Sequence, residues 1–329
     1  GYLVETLASD PGTLSEVQGK LWYNTTSNTW KLATTSAGAW STGTVLNQGR
    51  NIAGYAGTSQ TSALIFGGSI AYPYNFPGRT EQYNGTTWTE LADTTTARAR
   101  GQSNGTATAA LWIGGFPSSP TTPVALTEAW NGTSWTEKAD LNATNKSGSA
   151  AGGPATVTAA IQFGGSPNST MEKWDGTSWS AGAALTVPAS NLMGCGTSTA
   201  ALAIAGSNGG GREKMNEEWN GTGWTELADA NSNRVSGGAS GTSTAAIQFG
   251  GYDSTQSPPT NTVNVEVWNG TSWTETANMA TALTNTGGAS ITSSSTIKIG
   301  GYTGPPSDTY SNITEEFESG PTAVTVTTS

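Results

Sequence analysis

A decapeptide recurs six times along this chain, and its period limits the fold more than any other feature. It reads EQYNGTTWTE from Glu81, EAWNGTSWTE from Glu128, EKWDGTSWSA from Glu172, EEWNGTGWTE from Glu217 and EVWNGTSWTE from Glu266. A sixth copy without tryptophans, EEFESGPTAV, starts at Glu315, and successive copies lie 47, 44, 45, 49 and 49 residues apart. An apolar run closing on small residues recurs in step: ALIFGG at Gly67, LWIGG at Gly114, IQFGG at Gly164, AIAGS at Ala205, IQFGG at Gly250 and IKIGG at Gly300. A period of this length marks repeat architectures, in which each unit buries its faces only against its neighbours.

Together the landmarks predict four strands per repeat. Strand 1 is rich in Gly, Ala and Ser, as in RGQSNGT from Arg100 or GGASGTS from Gly237. Strand 2 runs into the glycine pair, strand 3 carries Glu-x-Trp, and strand 4 begins at Trp88, Trp135, Trp179, Trp224 or Trp273. Small side chains suit strands crowded at an axis, and paired glycines permit positive φ or close backbone approach. Asn-Gly between strands 3 and 4 predicts a type I′ hairpin turn. The tryptophans can bury large areas between adjacent sheets, worth about 1.5–3 kcal/mol per large side chain. The expected fold class is all-β: a six-bladed β-propeller of four-stranded antiparallel blades over residues 37–320.

Closure follows from spacing. The strand-4 tryptophans precede the next glycine landmark by 26, 29, 26, 26 and 27 residues, and 27 residues before Gly67 stands Trp40. The N-terminal side is therefore expected to supply the fourth strand of the last blade; the competing candidate is PTAVTVTTS at the C-terminus. Residues 1–36 lie outside the array, and GKLWYNTTSNTWKLAT reads as a separate hairpin. Such a hairpin is marginal alone, so it is expected to pack on the propeller or on another chain. Residues 321–329 form a C-terminal tail in this reading.

Glycine pairs after a strand-2 run, an acidic residue before an aromatic, and a second Trp after a turn resemble the kelch propeller repeat, over about 280 residues. Arg98 and Arg234 match the arginine common before strand 1 of that repeat. The low-charge WNGTSWTE and FGG units behind a GKLWYNTTSNTWK hairpin are similar to virion proteins of tailed bacteriophages, marine ones in particular. That resemblance implies a virion structural or tail-fibre protein, with the hairpin serving attachment or oligomerisation. The implied partners are other virion subunits or a host-surface glycan or protein, and the implied location is the extracellular particle. A secreted or cell-surface lectin-like propeller is the alternative.

Composition narrows the chemistry. A net charge of −10 with only 13 Lys and Arg disfavours nucleic acid, whose phosphates require clustered cations, and an anionic membrane surface. No stretch approaches 18 apolar residues, so no spanning helix is expected. The opening GYLVETLASD has no basic n-region and no apolar h-region, so no secretory signal is expected there. The chain has no histidine, which removes the commonest general base and metal ligand. Cys195, the one cysteine, is expected to be a small buried residue. Neither cofactor nor metal is expected.

Four Asn-Gly-Thr turns, at Asn84, Asn131, Asn220 and Asn269, are also glycosylation sequons. Asp175 occupies the same slot in the third repeat, so turn geometry is the simpler cause. Asp175-Gly-Thr-Ser-Trp179 resembles the Asp-box of sialidase propellers but is one residue too short between Asp and Gly. The glutamates Glu81, Glu128, Glu172, Glu217, Glu266 and Glu315 invite a catalytic reading, yet a repeat distributes them around a circle rather than facing a pair across one cavity. They are expected to accept hydrogen bonds from neighbouring loops. The chain is therefore not expected to be an enzyme; a hydrolase or lyase would need a convergent carboxylate pair.

Loop wording is more informative. The 3–4 turns are nearly identical, whereas the 2–3 loops include SIAYPYNFPGRT, FPSSPTTPVALT, YDSTQSPPTNTVNV and YTGPPSDTYSNI. One face is thus uniform and the other varied, with aromatics expected at the surface. Tyr and Phe on stiff, Pro-bearing loops suit recognition. The candidate binding residues are Tyr72, Tyr74, Phe76, Arg79, Phe116, Tyr252, Tyr302 and Tyr310.

Overall fold

The computed structural model describes residues 5–11, 20–71, 75–118, 122–153, 157–166, 170–208, 211–253, 260–304 and 307–326. The chain divides into two compact units, one comprising Gly1–Ala39 with Glu318–Ser329 and the other Trp40–Phe317. Glu318–Ser329, which include the segment 321–329 read as a tail, fall in the first of these units.

The first unit holds β1 (Glu5–Leu7) and β2 (Leu21–Asn24), and β3 (Thr29–Thr42) begins in it. β2 and β3 form the expected hairpin, with Leu21 opposite Leu32 and Asn24 opposite Thr29. Its turn is held by Asn24 Oδ1, which accepts from the N–H of Thr26 and Ser27 at 3.1 and 3.0 Å. Tyr23 and Trp30 pack edge to face at 5.3 Å. β1 adds in parallel beside β2, and Asp10 Oδ1 accepts from Asn24 Nδ2 at 2.8 Å.

The second unit is built from repeat sheets. The first has β4 (Gly54–Ser59), β5 (Ser62–Phe66), β6 (Thr80–Tyr83) and β7 (Trp88–Leu91). The second has β8 (Gln102–Thr106), β9 (Ala109–Ile113), β10 (Thr127–Trp130) and β11 (Trp135–Lys138). β12 (Ser149–Ala151), β13 (Ala160–Phe163), β14 (Glu172–Trp174) and β15 (Trp179–Ala181) form the third. β16 (Met193–Gly196), β17 (Ala201–Ser207), β18 (Arg212–Trp219) and β19 (Trp224–Glu226) form the fourth. Then come β20 (Arg234–Val235), β21 (Gly238–Gly241), β22 (Ala246–Phe249), β23 (Tyr252–Asp253), β24 (Thr260–Asn261), β25 (Val265–Trp268) and β26 (Trp273–Glu275). The last are β27 (Gly287–Gly288), β28 (Ser295–Ile299) and β29 (Thr314–Val326).

Each of the first four sheets is an antiparallel meander in chain order, and β21-β22-β25-β26 repeats the pattern with β23 and β24 inserted in its 2–3 connection. Those two pair with β20 as a separate three-stranded sheet, so the described strands form more sheets than one per repeat. β27, β28, β29 and β3 are neighbours in that order, which places the strand bearing Trp40 beside the last repeat's third strand. The unit is a propeller-like, all-β structure. Burial follows strand position: β5 and β9 are buried almost throughout, while on β7 and β11 Trp88 and Trp135 turn inward and the glutamates outward.

Indoles join successive sheets, and their partners alternate. Trp135 meets Phe66 at 4.6 Å, Trp224 meets Phe163 at 4.9 Å, and Trp40 meets Phe249 at 5.2 Å. Trp88, Trp179 and Trp273 instead share clusters with Ile299, Ile113 and Ile204. The residue before the glycine landmark is thus Phe or Ile in turn around the unit. The bulkier ring is accommodated by an opposing small residue; a Cβ on Gly54 would stand 2.1 Å from the Phe66 ring.

The glycine pair does what its position predicts. Gly67 and Gly68 have φ of 58° and 88°, and a Cβ on either would meet a backbone oxygen, Arg98 O or Asn51 O, within 2.7 Å. The 3–4 turns differ from expectation. Trp130 pairs directly with Trp135, which leaves a four-residue connection rather than a two-residue type I′ turn. Gly132 alone takes positive φ there, at 96°, while Asn131 Oδ1 accepts from the N–H of Thr133 and Ser134 at 2.9 Å each. The turn needs an oxygen acceptor at its first position, not a left-handed residue. Asp175 supplies one equally well, accepting from Thr177 and Ser178 N–H at 2.8 Å.

Candidate binding site at the convergence of the inner strands

Six residues with positive φ, Ile52, Arg100, Ser147, Asn191, Ser236 and Asn285, each stand two positions ahead of an inner strand. Their backbones close a ring. Arg100 N donates to Ile52 O, Ser147 N to Arg100 O, Asn191 N to Ser147 O and Ser236 N to Asn191 O; Asn285 N donates to Ser236 O, and Ile52 N to Asn285 O. The six donor–acceptor distances run from 2.6 to 3.2 Å. None of these side chains is dictated by the backbone role they share.

Behind this ring lies a cavity of about 160 Å³ lined by the inner strands, with Ser103, Ser149 and Thr286 adding hydroxyls to those of Ser147 and Ser236. Arg100 is the one charged residue in its described lining. Its Nη1 donates to Asn191 Oδ1 at 3.5 Å. A second cavity of about 180 Å³ continues along the same strands and shares Tyr55, Ser103, Gly194, Ala239 and Gly288 with the first. Cys195 lines the second cavity, where burial pushes its thiol up to about 12, so it is a small packing residue and not a thiolate nucleophile.

Around the mouth the residue after each glycine landmark bridges the residue before each ring position. Ser69 pairs with Asn51, Phe116 with Ala99, Ser166 with Lys146, Ser207 with Ser190, Tyr252 with Val235 and Tyr302 with Thr284. Phe116, Tyr252 and Tyr302, all singled out from loop wording, therefore occupy equivalent places. Phe116 is nonetheless buried, as is Phe76; their rings meet edge to face at 5.3 Å, so the two do not present the exposed surface expected of them. Tyr302 packs against Tyr310 at 5.7 Å and donates its hydroxyl to Asp308. Arg79 is half-buried and donates to Gln48 Oε1 at 2.6 Å. Tyr72 and Tyr74 lie outside the described residues.

The repeated glutamates are buried and structural. Glu128 accepts from the N–H of Thr95 and Thr96, Glu217 from Thr186 and Val187, and Glu315 from Ala280 and Thr281, so each carboxylate ties strand 3 to the loop entering its repeat. Glu81, Glu172 and Glu266 do the same through Asn47, Asn142 and Asn231, each donating both backbone and side-chain N–H. Arg98 and Arg234 pair with Glu128 and Glu266, and Arg50, which the sequence reading did not single out, pairs with Glu81. In the last repeat Lys298 replaces the arginine, 2.9 Å from Glu315. Burial pulls the pKa of all four cations down, against the raising effect of the paired glutamates.

No family model and no curated protein matches the chain. Among solved structures, that of YjhT aligns with a TM-score of 0.67 at 13% identity, covering 87% of this chain and 97% of that one. At that identity the likeness concerns the fold.

Proposed function

We propose that Trp40–Phe317 is a closed, six-bladed, kelch-like propeller and that the protein is a non-enzymatic structural or appendage protein of a tailed-bacteriophage virion. Closure is supported by the ring of six backbone hydrogen bonds and by contacts that run from β4 through β8, β12, β16, β21 and β27 back to β4. The kelch likeness is supported by buried Arg–Glu pairs in three repeats.

One observation carries the functional reading. A fixed backbone at the mouth of the inner strands presents equivalent bridge positions, of which Ser166, Ser207, Tyr252 and Tyr302 are part-exposed while Ser69 and Phe116 are buried. Constant scaffold with varied side chains suits a contact surface, here for a host-surface glycan or an adjoining virion subunit. The N-terminal hairpin, with Leu21 and Trp30 exposed, would attach or oligomerise the protein.

The test is immunogold labelling of intact particles, with adsorption to host cells in the presence of the purified chain. Labelled tails or capsids and competition by the chain are expected. Chain found only as free protein, without effect on adsorption, would overturn the reading.

A further inference from the structure

Arg100 differs from the other ring residues in kind. The positive-φ position is filled elsewhere by Ile, Ser and Asn, so the fold does not call for an arginine there. Yet it is the arginine that reaches a cavity whose described lining holds neither Asp nor Glu, in a chain of net charge −10. A guanidinium carries five donors in a planar fork suited to carboxylate. The rest of the mouth offers Ser147 and Ser236 hydroxyls and the carboxamides of Asn191 and Asn285. The volume, about 160 Å³, is close to the roughly 150 Å³ of an engineered apolar cavity that accepts a single benzene ring, so no more than one ring fits.

We propose that this cavity binds a single acidic sugar residue of the uronate type. The carboxylate would sit on the Arg100 guanidinium, and the hydroxyls would pair with Ser147, Ser236, Asn191 and Asn285. The inference rests on the glycan-binding arm of the reading above and names the chemistry of that glycan. Charge selects the carboxylate, hydroxyl and amide groups select a polyhydroxylated ring, and the volume limits the site to one unit.

Isothermal titration calorimetry of the full chain with D-galacturonate, D-galactose and benzoate separates these contributions. Galacturonate should bind at least about tenfold more tightly than either control, and Arg100→Gln should lose at least about tenfold in affinity. Arg100→Lys, which keeps the charge but not the fork, should fall between. Thermal midpoints of both variants should match that of the parent, since neither changes the ring backbone; if Arg100→Gln does not fold, Arg100→Lys alone decides, and unaltered affinity counts against the proposal. Galacturonate bound no better than galactose, or no better than benzoate, or absent binding, would overturn it. Host-cell adsorption of the labelled chain is measured separately. Adsorption without galacturonate binding discards the acidic-sugar site and leaves the appendage reading standing, while galacturonate binding without adsorption keeps the acidic-sugar site and discards host-cell attachment as its role.

Discussion

The N–H of Ile52 donates to the carbonyl oxygen of Asn285 at 3.2 Å, joining residues 233 positions apart in sequence and closing a ring that five further backbone bonds complete. Because every member is a backbone group, the ring depends on the φ of its residues and not on their side chains. The amides of Ile52, Arg100, Ser147, Asn191, Ser236 and Asn285 should therefore exchange slowly with solvent deuterium although they border a cavity. Exchange at the rate of the 3–4 turn amides would contradict a closed ring.

The repeated glutamates should differ in how much they matter. Glu128→Gln leaves the fully buried Arg98 without its counter-charge, and breaking such a pair costs about 3–5 kcal/mol. Glu172 accepts from Asn142 and Ala143 and, among the described residues, has no cation paired with it. Glu172→Gln should cost only about 1–2 kcal/mol, the weakening of hydrogen bonds to a charged acceptor. Urea denaturation of the two variants gives the comparison; equal losses would show that the cation is immaterial.

Much of this frame was legible because the residues that report it are few and bulky. A tryptophan at each strand-4 start and glycines after strand 2 fix where sheets meet, and counting between them places Trp40 next to the last repeat. Arg50 went unnoticed because its neighbourhood lacks a preceding repeat. Its spacing to Glu81, 31 residues against 30 for Arg98 to Glu128 and 32 for Arg234 to Glu266, was the available signal. The turn type was misread because Asn-Gly serves two geometries, and only the Trp–Trp register decides between them. Phe76 and Phe116 looked exposed because two loops that are distant in sequence bury each other's rings. The cavity behind the backbone ring had no motif at all: Arg100 lines it only because six separate segments meet there.

Sheet-to-sheet contacts offer a sharper test through a single hydroxyl. Trp135 Nε1 donates to Thr80 Oγ1 at 2.9 Å and Trp179 Nε1 to Thr127 Oγ1 at 3.0 Å. Trp224 Nε1 is buried without a partner, and the residue in the corresponding place is Met171. Thr127→Val keeps the shape and removes the acceptor, so it should cost about 1–3 kcal/mol by stranding a buried donor. Thermal unfolding that matches the parent would show the indole reaching another acceptor.

Ala205 stands where the other repeats place the first glycine of the pair, and it holds φ at 56°. A left-handed conformation costs an L-residue with a Cβ roughly 1–2 kcal/mol, and glycine takes it freely. Ala205→Gly should therefore stabilise the fold, by about 1 kcal/mol after the entropy lost from a more flexible unfolded chain is subtracted. A lower denaturation midpoint would mean that the Ala205 methyl, buried in the cluster with Ile204 and Trp273, contributes more by packing than its backbone costs.

Asp175 provides the pH test. Hydrogen bonds from Ser178 N–H, the Thr177 hydroxyl and Thr177 N–H hold its carboxyl down at about 2, against 3.8 for an ordinary aspartate. The folded state thus binds the proton less readily than the unfolded state. The contribution of this turn is present in full above the unfolded value and is lost as pH falls from about 4 through about 2. Asp175→Asn installs the residue found at Asn84, Asn131, Asn220 and Asn269, so it should leave stability near neutral pH almost unchanged. The same change should remove one component of the acid-induced loss. A carbon-detected NMR titration should place the parent's Asp175 carboxyl midpoint near 2; a midpoint close to 4 would mean that the turn's donors do not hold the carboxylate in solution.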